Sequence, residues 1–242
     1  MKKNILLLSH IITQEIPSYG NRDFVRIEKK SSIVTGDTSN TSSWIFSNNH
    51  IGTHIDTPYH FFEDGKRTYN YPLDDFFFDN VGLIDIPCRQ GILIKPKEFQ
   101  DTKKEFAKDL ELLLIRTGYE QYRLEEKYWN DNPGLAPELA DYLRDCYPNL
   151  RCIGFDFISL SSWNYQESGR ESHRRFLCPI DVKKEILVIE DMALSKIYAP
   201  IKKVIVAPLF VVGGDGGAVT VFAEIELEGL HEKHNLKTKI TK

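Results

Sequence analysis

Short apolar runs closed by turn residues recur along the chain, and each has the length of a β-strand rather than of a helix. "ILLLSHII", "SSWIFSN", "NVGLIDIP" and "ELLLIRTG" are the first four, and "RCIGFDFISL", "EILVIED" and "KKVIVAPLFVV" continue the series. One segment breaks the pattern. In "LAPELADYLRDCYPNL" the apolar side chains of Leu139, Tyr142, Leu143 and Cys146 recur at three- and four-residue spacing, which predicts a helix. Pro137 suits its first turn and Pro148 stops it. "EFQDTKKEFAKDLE" is polar and predicts a loop or a short exposed helix ahead of "ELLLIRTG". "GGDGG" separates "KKVIVAPLFVV" from "AVTVFAEIELEG" and predicts a tight hairpin. It lacks the Lys-Ser/Thr of a P-loop and the spacing of a dinucleotide fingerprint, so it is read as a turn. Strands outnumber helices, and helices interrupt them in the middle of the chain. The pattern predicts one α/β domain over 1–242, with a mixed, strand-rich sheet core flanked by helices.

Composition agrees with a packed domain. The 242 residues are 41% hydrophobic and 27% charged, which favours a core over disorder. A net charge of −4, with Lys and Arg spread along the chain, leaves no electrostatic footprint for nucleic acid or an anionic membrane. No stretch approaches the ~18 apolar residues of a membrane span. "MKKNILLLSHIIT" has the flavour of a signal peptide, but Ser9 and His10 break it and no small-residue cleavage site follows, so a first strand is expected. Cys88, Cys146, Cys152 and Cys178 form no CxxC pair and read as reduced thiols, which places the chain in the cytoplasm. Cys178 lies five residues after His173, but buried packing is the expectation for it.

The candidate chemistry is concentrated in "HIGTHIDTPYH". Of seven histidines in the chain, three fall here, with an aspartate among them: His50, His54, Asp56 and His60. A straight strand would set His50 and His54 ~13 Å apart at ~3.3 Å per residue, too far for one ion. Gly52, Thr53, Ile55 and Pro58 make a poor helix. The chain must bend, with Gly52 supplying the freedom and Pro58 a second corner. Imidazoles and a carboxylate on a bent loop suit a first-row transition metal. A structural zinc site would be closed and cysteine-rich, whereas this set has no nearby cysteine, which favours a catalytic centre. The two oxygens of Asp56 are able to bridge two ions, as in two-metal hydrolases.

These residues match HxGTHxDxPxH at every fixed position, and the chain thereby resembles the cyclase-like metal-dependent hydrolases, which include the bacterial kynurenine formamidases (arylformamidases) and isatin hydrolases. The resemblance extends through "HFFEDG", "LLIRTGY", "LAPELADYL" with "CIGFDFISL", "ESHRRFL" with "ILVIEDMAL", and "VAPLFVVGGDGGAV". It implies a swivelling β/β/α fold and roles for individual residues. His50, His54 and Asp56 would hold a first metal, Asp56 would bridge to a second, His173 would hold the second, and Glu190 would contact both. His60 would be the general acid/base. Two zinc ions per chain are implied, with manganese as the alternative, since both accept His and carboxylate. Glu185 shares the window after His173, but "ILVIEDMAL" keeps the family's apolar frame around Glu190.

For the substrate, the resemblance implies an amide, with N-formylkynurenine of tryptophan catabolism first and an isatin-type cyclic amide as the alternative. A metal-binding protein without activity is the alternative of another class. The formamidases' N-terminal-loop Trp is replaced here by Tyr19, which is expected either to stack on an aryl substrate or to be an ordinary loop aromatic. Phe61 is the second substrate-binding candidate, and Trp44 and Phe62 are further aromatics near the motif. Arg174 would bind a substrate carboxylate or form a surface salt bridge. The family's Pro-Val-Arg after the last turn is replaced by "GGAVTVFA". A homodimer or a higher assembly is the implied oligomeric state.

Overall fold

The computed structural model describes residues 4–178 and 184–226. In chain order the strands are β1 (Ile5–Leu7), β2 (Val25–Ser31), β3 (Thr41–Phe46), β4 (His54–Asp56), β5 (Phe77–Phe78), β6 (Val81–Asp85), β7 (Leu93–Ile94), β8 (Leu112–Arg116), β9 (Gly134–Leu135), β10 (Cys152–Phe155), β11 (Leu187–Glu190), β12 (Ile201–Pro208) and β13 (Gly216–Ile225). The α-helices are α1 (Pro96–Asp101), α2 (Lys127–Asn130), α3 (Pro137–Cys146) and α4 (Gln166–Leu177). Every apolar run singled out above forms a strand. The 227–229 end of "AVTVFAEIELEG" lies outside the described residues.

Nine strands make one mixed sheet, in the order β5-β12-β13-β4-β11-β10-β8-β6, with β1 added on β13. β6, β8, β10 and β11 run parallel, whereas β4 is antiparallel to both β11 and β13. β12 returns alongside β6, so the sheet comes close to a barrel. The side-chain period of two then divides each strand between two cores. On β8, Leu112 and Leu114 face the barrel interior with Ile55, Ile189, Val204, Val206, Val219 and Val221. Leu113 and Ile115 face outward to α3 and α4, with Leu139, Leu143, Phe176 and Leu177. Strands buried on both faces read as the unbroken apolar runs seen in the sequence.

The polar segment before β8 begins inside α1, a short helix that Pro96 opens ahead of it and that buried Phe99 pins. Two elements depart from expectation. β2 pairs with β3 in a separate two-stranded ribbon, and β2 (VRIEKKS) carries too much charge to read as a strand. α4 buries Gly169, Ser172, His173, Phe176 and Leu177. That is helical spacing, but small and polar residues fill the first three positions, so a hydrophobic period does not show it.

Candidate metal centre

The bend expected at Gly52 is present, with φ +72, and a Cβ there would meet Ile16 Cδ1 at 2.5 Å. It folds His50 back over His54, ring centroids 5.1 Å apart. The expectation of a bent loop throughout needs correction, because His54–Asp56 is regular strand. The distance argument excluded a strand spanning 50–60. A three-residue strand escapes it, since only the i, i+2 pair His54 and Asp56 lies on β4 and shares a face. Pro58 then opens a 3-10 turn, Pro58–His60, that lifts His60 onto the rim.

Strand register supplies the rest. Glu190 of β11 pairs with His54, and Gly216 of β13 pairs with Asp56. Glu190 therefore lies on the same face as His54 and Asp56, while Ile55 and Ile189 go to the barrel core. α4 crosses that face and delivers His173, which is 5% exposed. Its approach is close because Gly169 has no side chain: a Cβ there would meet Ser161 Oγ at 2.2 Å.

The donor atoms converge. His54 Nε2 lies 3.4 Å from Asp56 Oδ1 and 3.3 Å from Glu190 Oε2. His173 Nε2 lies 3.5 Å from Asp56 Oδ2 and 3.6 Å from Glu190 Oε1. Each carboxylate thus turns one oxygen to each imidazole. His50 Nδ1 is 2.8 Å from Asp56 Oδ1. The outer ring nitrogens are tied to backbone: His54 Nδ1 donates to Gly52 O at 2.7 Å and His173 Nδ1 to Gly169 O at 2.9 Å. His54 Nε2 is left buried with no hydrogen-bond partner, an orphan that a metal ion would satisfy.

Glu190 is held from behind. Leu160 N–H donates to Oε1 at 2.6 Å and Ser159 Oγ at 3.3 Å. The next residue, Asp191, has φ +51 and turns its carboxylate onto Arg123 and the Tyr128 hydroxyl. Glu185 lies elsewhere, bonded to Lys66 and to the Tyr71 hydroxyl at 2.8 and 3.0 Å. The segment "GFDFIS" meets "RTG" directly, Asp156 accepting from the Thr117 and Gly118 amides and the Thr117 hydroxyl.

Charge is balanced inside the cluster. Burial alone would lower the His50 imidazole, but Asp56 and Asp215 reverse this and push it up to about 10. His173 is likewise lowered by burial and pushed up to about 10 by Asp56 and Glu190. Burial and Asp56 favour the neutral acid at Glu190, yet His173 and His54 hold it below its ordinary value. Asp56 is buried too, and His50, His173 and His54 keep it well below the carboxylate range.

His60, Phe61 and an unanticipated residue complete the rim. His60 brings a ring nitrogen within 4.8 Å of donor atoms of Asp56 and His173. Phe61 stacks on the His173 ring at 4.9 Å and 17° and meets His60 edge-on. Asp215, from the "GGDGG" turn, accepts from His60 Nδ1 at 2.7 Å and from His50 Nε2 at 3.0 Å, and these contacts hold its carboxyl far below the usual range. Tyr19 packs on Trp163 at 5.2 Å, and its hydroxyl is buried without a partner. Burial and then Glu190 push that hydroxyl up to about 12. Trp163 carried no signal in the sequence. Trp44 is exposed on the ribbon and Phe62 packs into the outer core, so neither extends the rim. Arg174 is exposed beside Glu171, its guanidinium 5.6 Å from the Phe61 ring centroid. All four cysteines are unpaired, Cys178 at the end of α4 among them.

The Cyclase family model matches residues 6–162. Cyclase-like protein 2 of Oryza sativa subsp. japonica is 26% identical over 227 residues, 90% of this chain and 78% of its own length. A kynurenine formamidase of Bacillus cytotoxicus is 28% identical over 170 residues, 70% of this chain and 73% of its own length. Isatin hydrolase A from Labrenzia aggregata, solved with benzyl benzoate, has the same fold: the TM-score is 0.72 over 92% of this chain and 93% of that one, at 21% identity.

Proposed function

The chain belongs to the Cyclase family, and from that premise we propose that it is a metal-dependent hydrolase of a carbon–nitrogen amide bond. The arrangement of His54 and His173 against Asp56 and Glu190 carries the reading. Donor atoms ~2.0–2.2 Å from an ion in tetrahedral array stand ~3.3–3.6 Å from one another, and the separations of His54 and His173 from the two carboxylates are 3.3 to 3.6 Å. His50 Nδ1 and Asp56 Oδ1, at 2.8 Å, stand instead at a hydrogen-bond distance that an ion would open. In this reading His50, His54 and Asp56 would hold one ion, and His173 with Asp56 would hold a second. Glu190 offers one oxygen to each. Zinc is the expected ion and manganese the alternative. When bound, such an ion polarises an amide carbonyl and lowers the pKa of water to ~7.

The chain's own residues supply orientation and proton transfer. Leu160 N–H and Ser159 fix the Glu190 carboxylate, so its oxygens need no reorganisation. His60, with Nδ1 engaged by Asp215, has Nε2 left to protonate the leaving nitrogen. Phe61 lies on His173, and Tyr19, packed on Trp163, lies where the Glu190 charge reaches its hydroxyl, an aromatic setting that suits an aryl amide. The proposed substrate is therefore an N-formyl aryl amide such as N-formylkynurenine, yielding formate and an aryl amine. The similarity to the Bacillus formamidase supports the same choice.

The test is product identification by mass spectrometry, on zinc- or manganese-loaded protein given N-formyl aryl amides and cyclic amides. Formate and amine are expected. A ring-opened acid from the cyclic panel alone would reassign the enzyme to an isatin-type reaction. No product from either panel with metal bound would overturn the hydrolase reading in favour of a metal-binding protein. Assembly belongs to the proposal too. The β2–β3 ribbon exposes Ile27, Trp44 and Ile45, with Phe24 exposed just before it, and a two-stranded ribbon is marginal alone. A homodimer or higher assembly is expected in sedimentation. Among the described residues no helix is long and apolar enough to cross a membrane.

A further inference from the structure

"GGDGG" reads as a tight hairpin turn. The hairpin is present, but its connection runs over 209–215 and Gly216 and Gly217 already belong to β13, and the aspartate reaches the centre. We propose that Asp215 is a positioning residue for two histidines at once, a single carboxylate oxygen setting which ring nitrogen His60 and His50 each present. The functional arm of this inference rests on the hydrolase reading; the geometric arm does not.

Asp215 Oδ2 accepts from His60 Nδ1 at 2.7 Å and from His50 Nε2 at 3.0 Å. The two imidazoles lie side by side, centroids 4.1 Å apart and planes 31° from parallel. A carboxylate oxygen has two acceptor positions, so one atom serves both rings. A carboxylate accepts only, so each ring nitrogen facing it is the protonated one. For His60 this places the proton on Nδ1 and leaves Nε2 as the base. His50 faces a carboxylate on both sides, Asp215 at Nε2 and Asp56 at Nδ1. A metal ion taking the place of the Nδ1 proton would leave Nδ1 to ligate while Asp215 keeps the proton on Nε2.

Asp215 is itself fixed. Asn49 Nδ2 donates to its other oxygen, Oδ1, at 2.7 Å. Its backbone carbonyl accepts from Thr57 Oγ1 at 2.9 Å and from Thr57 N at 3.3 Å. Two nearby glycines are required, Gly216 by space and Gly213 by backbone conformation. A Cβ at Gly216 would meet Ile55 O at 2.5 Å and His50 Cε1 at 3.0 Å, and Gly213 has φ +83. A side chain at Gly216 would displace the backbone that brings Asp215 Oδ2 to both rings.

Long-range proton–nitrogen NMR of 15N-labelled, zinc-loaded protein reads the tautomers directly, with the His60 resonances assigned through H60A. Wild type should show His60 protonated at Nδ1, and D215A should lose that pattern. Competition with a zinc chelator should show zinc held ~10–100-fold more weakly in D215A, the usual cost of removing a carboxylate behind a ligating histidine. In the amide assay at saturating zinc, D215A should lower kcat by ~100-fold or more with KM little changed. D215N, whose amide oxygen still accepts an N–H, should recover part of that loss, which a turn residue of purely structural value would not produce. A His60 pattern identical in wild type and D215A, or zinc affinity and kcat unchanged in D215A, would overturn the proposal. If wild type hydrolyses neither panel, the hydrolase reading fails alone, and the NMR and chelator arms still decide the role of Asp215.

Discussion

His54 is committed before any ligand arrives. Its Nδ1 is spent on the Gly52 carbonyl, so Nε2 alone faces two carboxylates in a dry site. His173 repeats the device with the Gly169 carbonyl. Asp56 stands between them and, among the described residues, is the one carboxylate paired with His50, His54 and His173 together. Asp56→Ala is therefore expected to abolish retention of metal through gel filtration. His60→Ala should keep the metal and lower kcat by ~10²–10⁴-fold, the usual share of general acid/base catalysis. Elemental analysis beside steady-state rates separates the two, and a fully active H60A would remove His60 from the mechanism. Glu190 and Glu185 make a second contrast. Glu190→Gln should lose metal, whereas Glu185→Gln, remote from the centre and tied to Lys66 and Tyr71, should leave metal content and kcat unchanged. The cluster itself was legible at the residue scale because His50, His54, Asp56 and His60 fall within one short stretch and their excess is visible. Asp215 was not, since an aspartate among glycines is what an ordinary turn also contains.

Elements decide whether these side chains meet. β4 is only three residues long, yet it lies between β11 and β13 and so sets the register of Glu190 and of the Asp215 turn. The apolar runs made the sheet legible, because strands buried on both faces leave unbroken hydrophobic signatures. They did not reveal the crossing of α4. Its buried stripe of 169, 172, 173, 176 and 177 has helical spacing but opens with Gly, Ser and His. Close approach, not burial of bulk, is what that stripe supplies. Gly169→Ala tests it. The added methyl would fall 2.2 Å from Ser161 Oγ and 2.7 Å from Ser161 Cα, so side-chain rotation alone does not relieve the clash. Overpacking of this kind costs ~1–3 kcal/mol. The variant should unfold at lower denaturant concentration and hold zinc more weakly, because α4 carries His173 away from Asp56. Normal zinc affinity in a destabilised G169A would show that His173 is placed independently of the α4–Ser161 contact.

Across the whole molecule, the centre lies where the parallel strands meet the antiparallel ones. That junction brings β4 and β11 together with the helical layer that bears His173. The arrangement buries Asp56 and Glu190 among histidines, so the metal-free fold must neutralise those acids with protons. The His50 and His173 imidazoles are pushed up to about 10, above an ordinary value near 6.5. A histidine whose folded value is raised binds its proton more tightly in the fold than in the unfolded chain. The resulting stability is fully present below pH ~6.5 and is lost as pH rises through about 10. In the proposed metal-loaded protein the same imidazoles would be ligands without protons on their ligating nitrogens, so this loss would not occur. Metal and protons compete for the same atoms, and loading must release protons. Calorimetry of zinc-loaded and chelator-stripped protein at pH 6.5, 8 and 9.5 should then show the stripped form melting progressively lower. The gap in Tm between the two forms should widen from the lowest pH to the highest. A gap that stays constant over this range would mean that the metal-free fold holds its acids without protonated His50 and His173, and that the charge balance of the centre is carried by other groups.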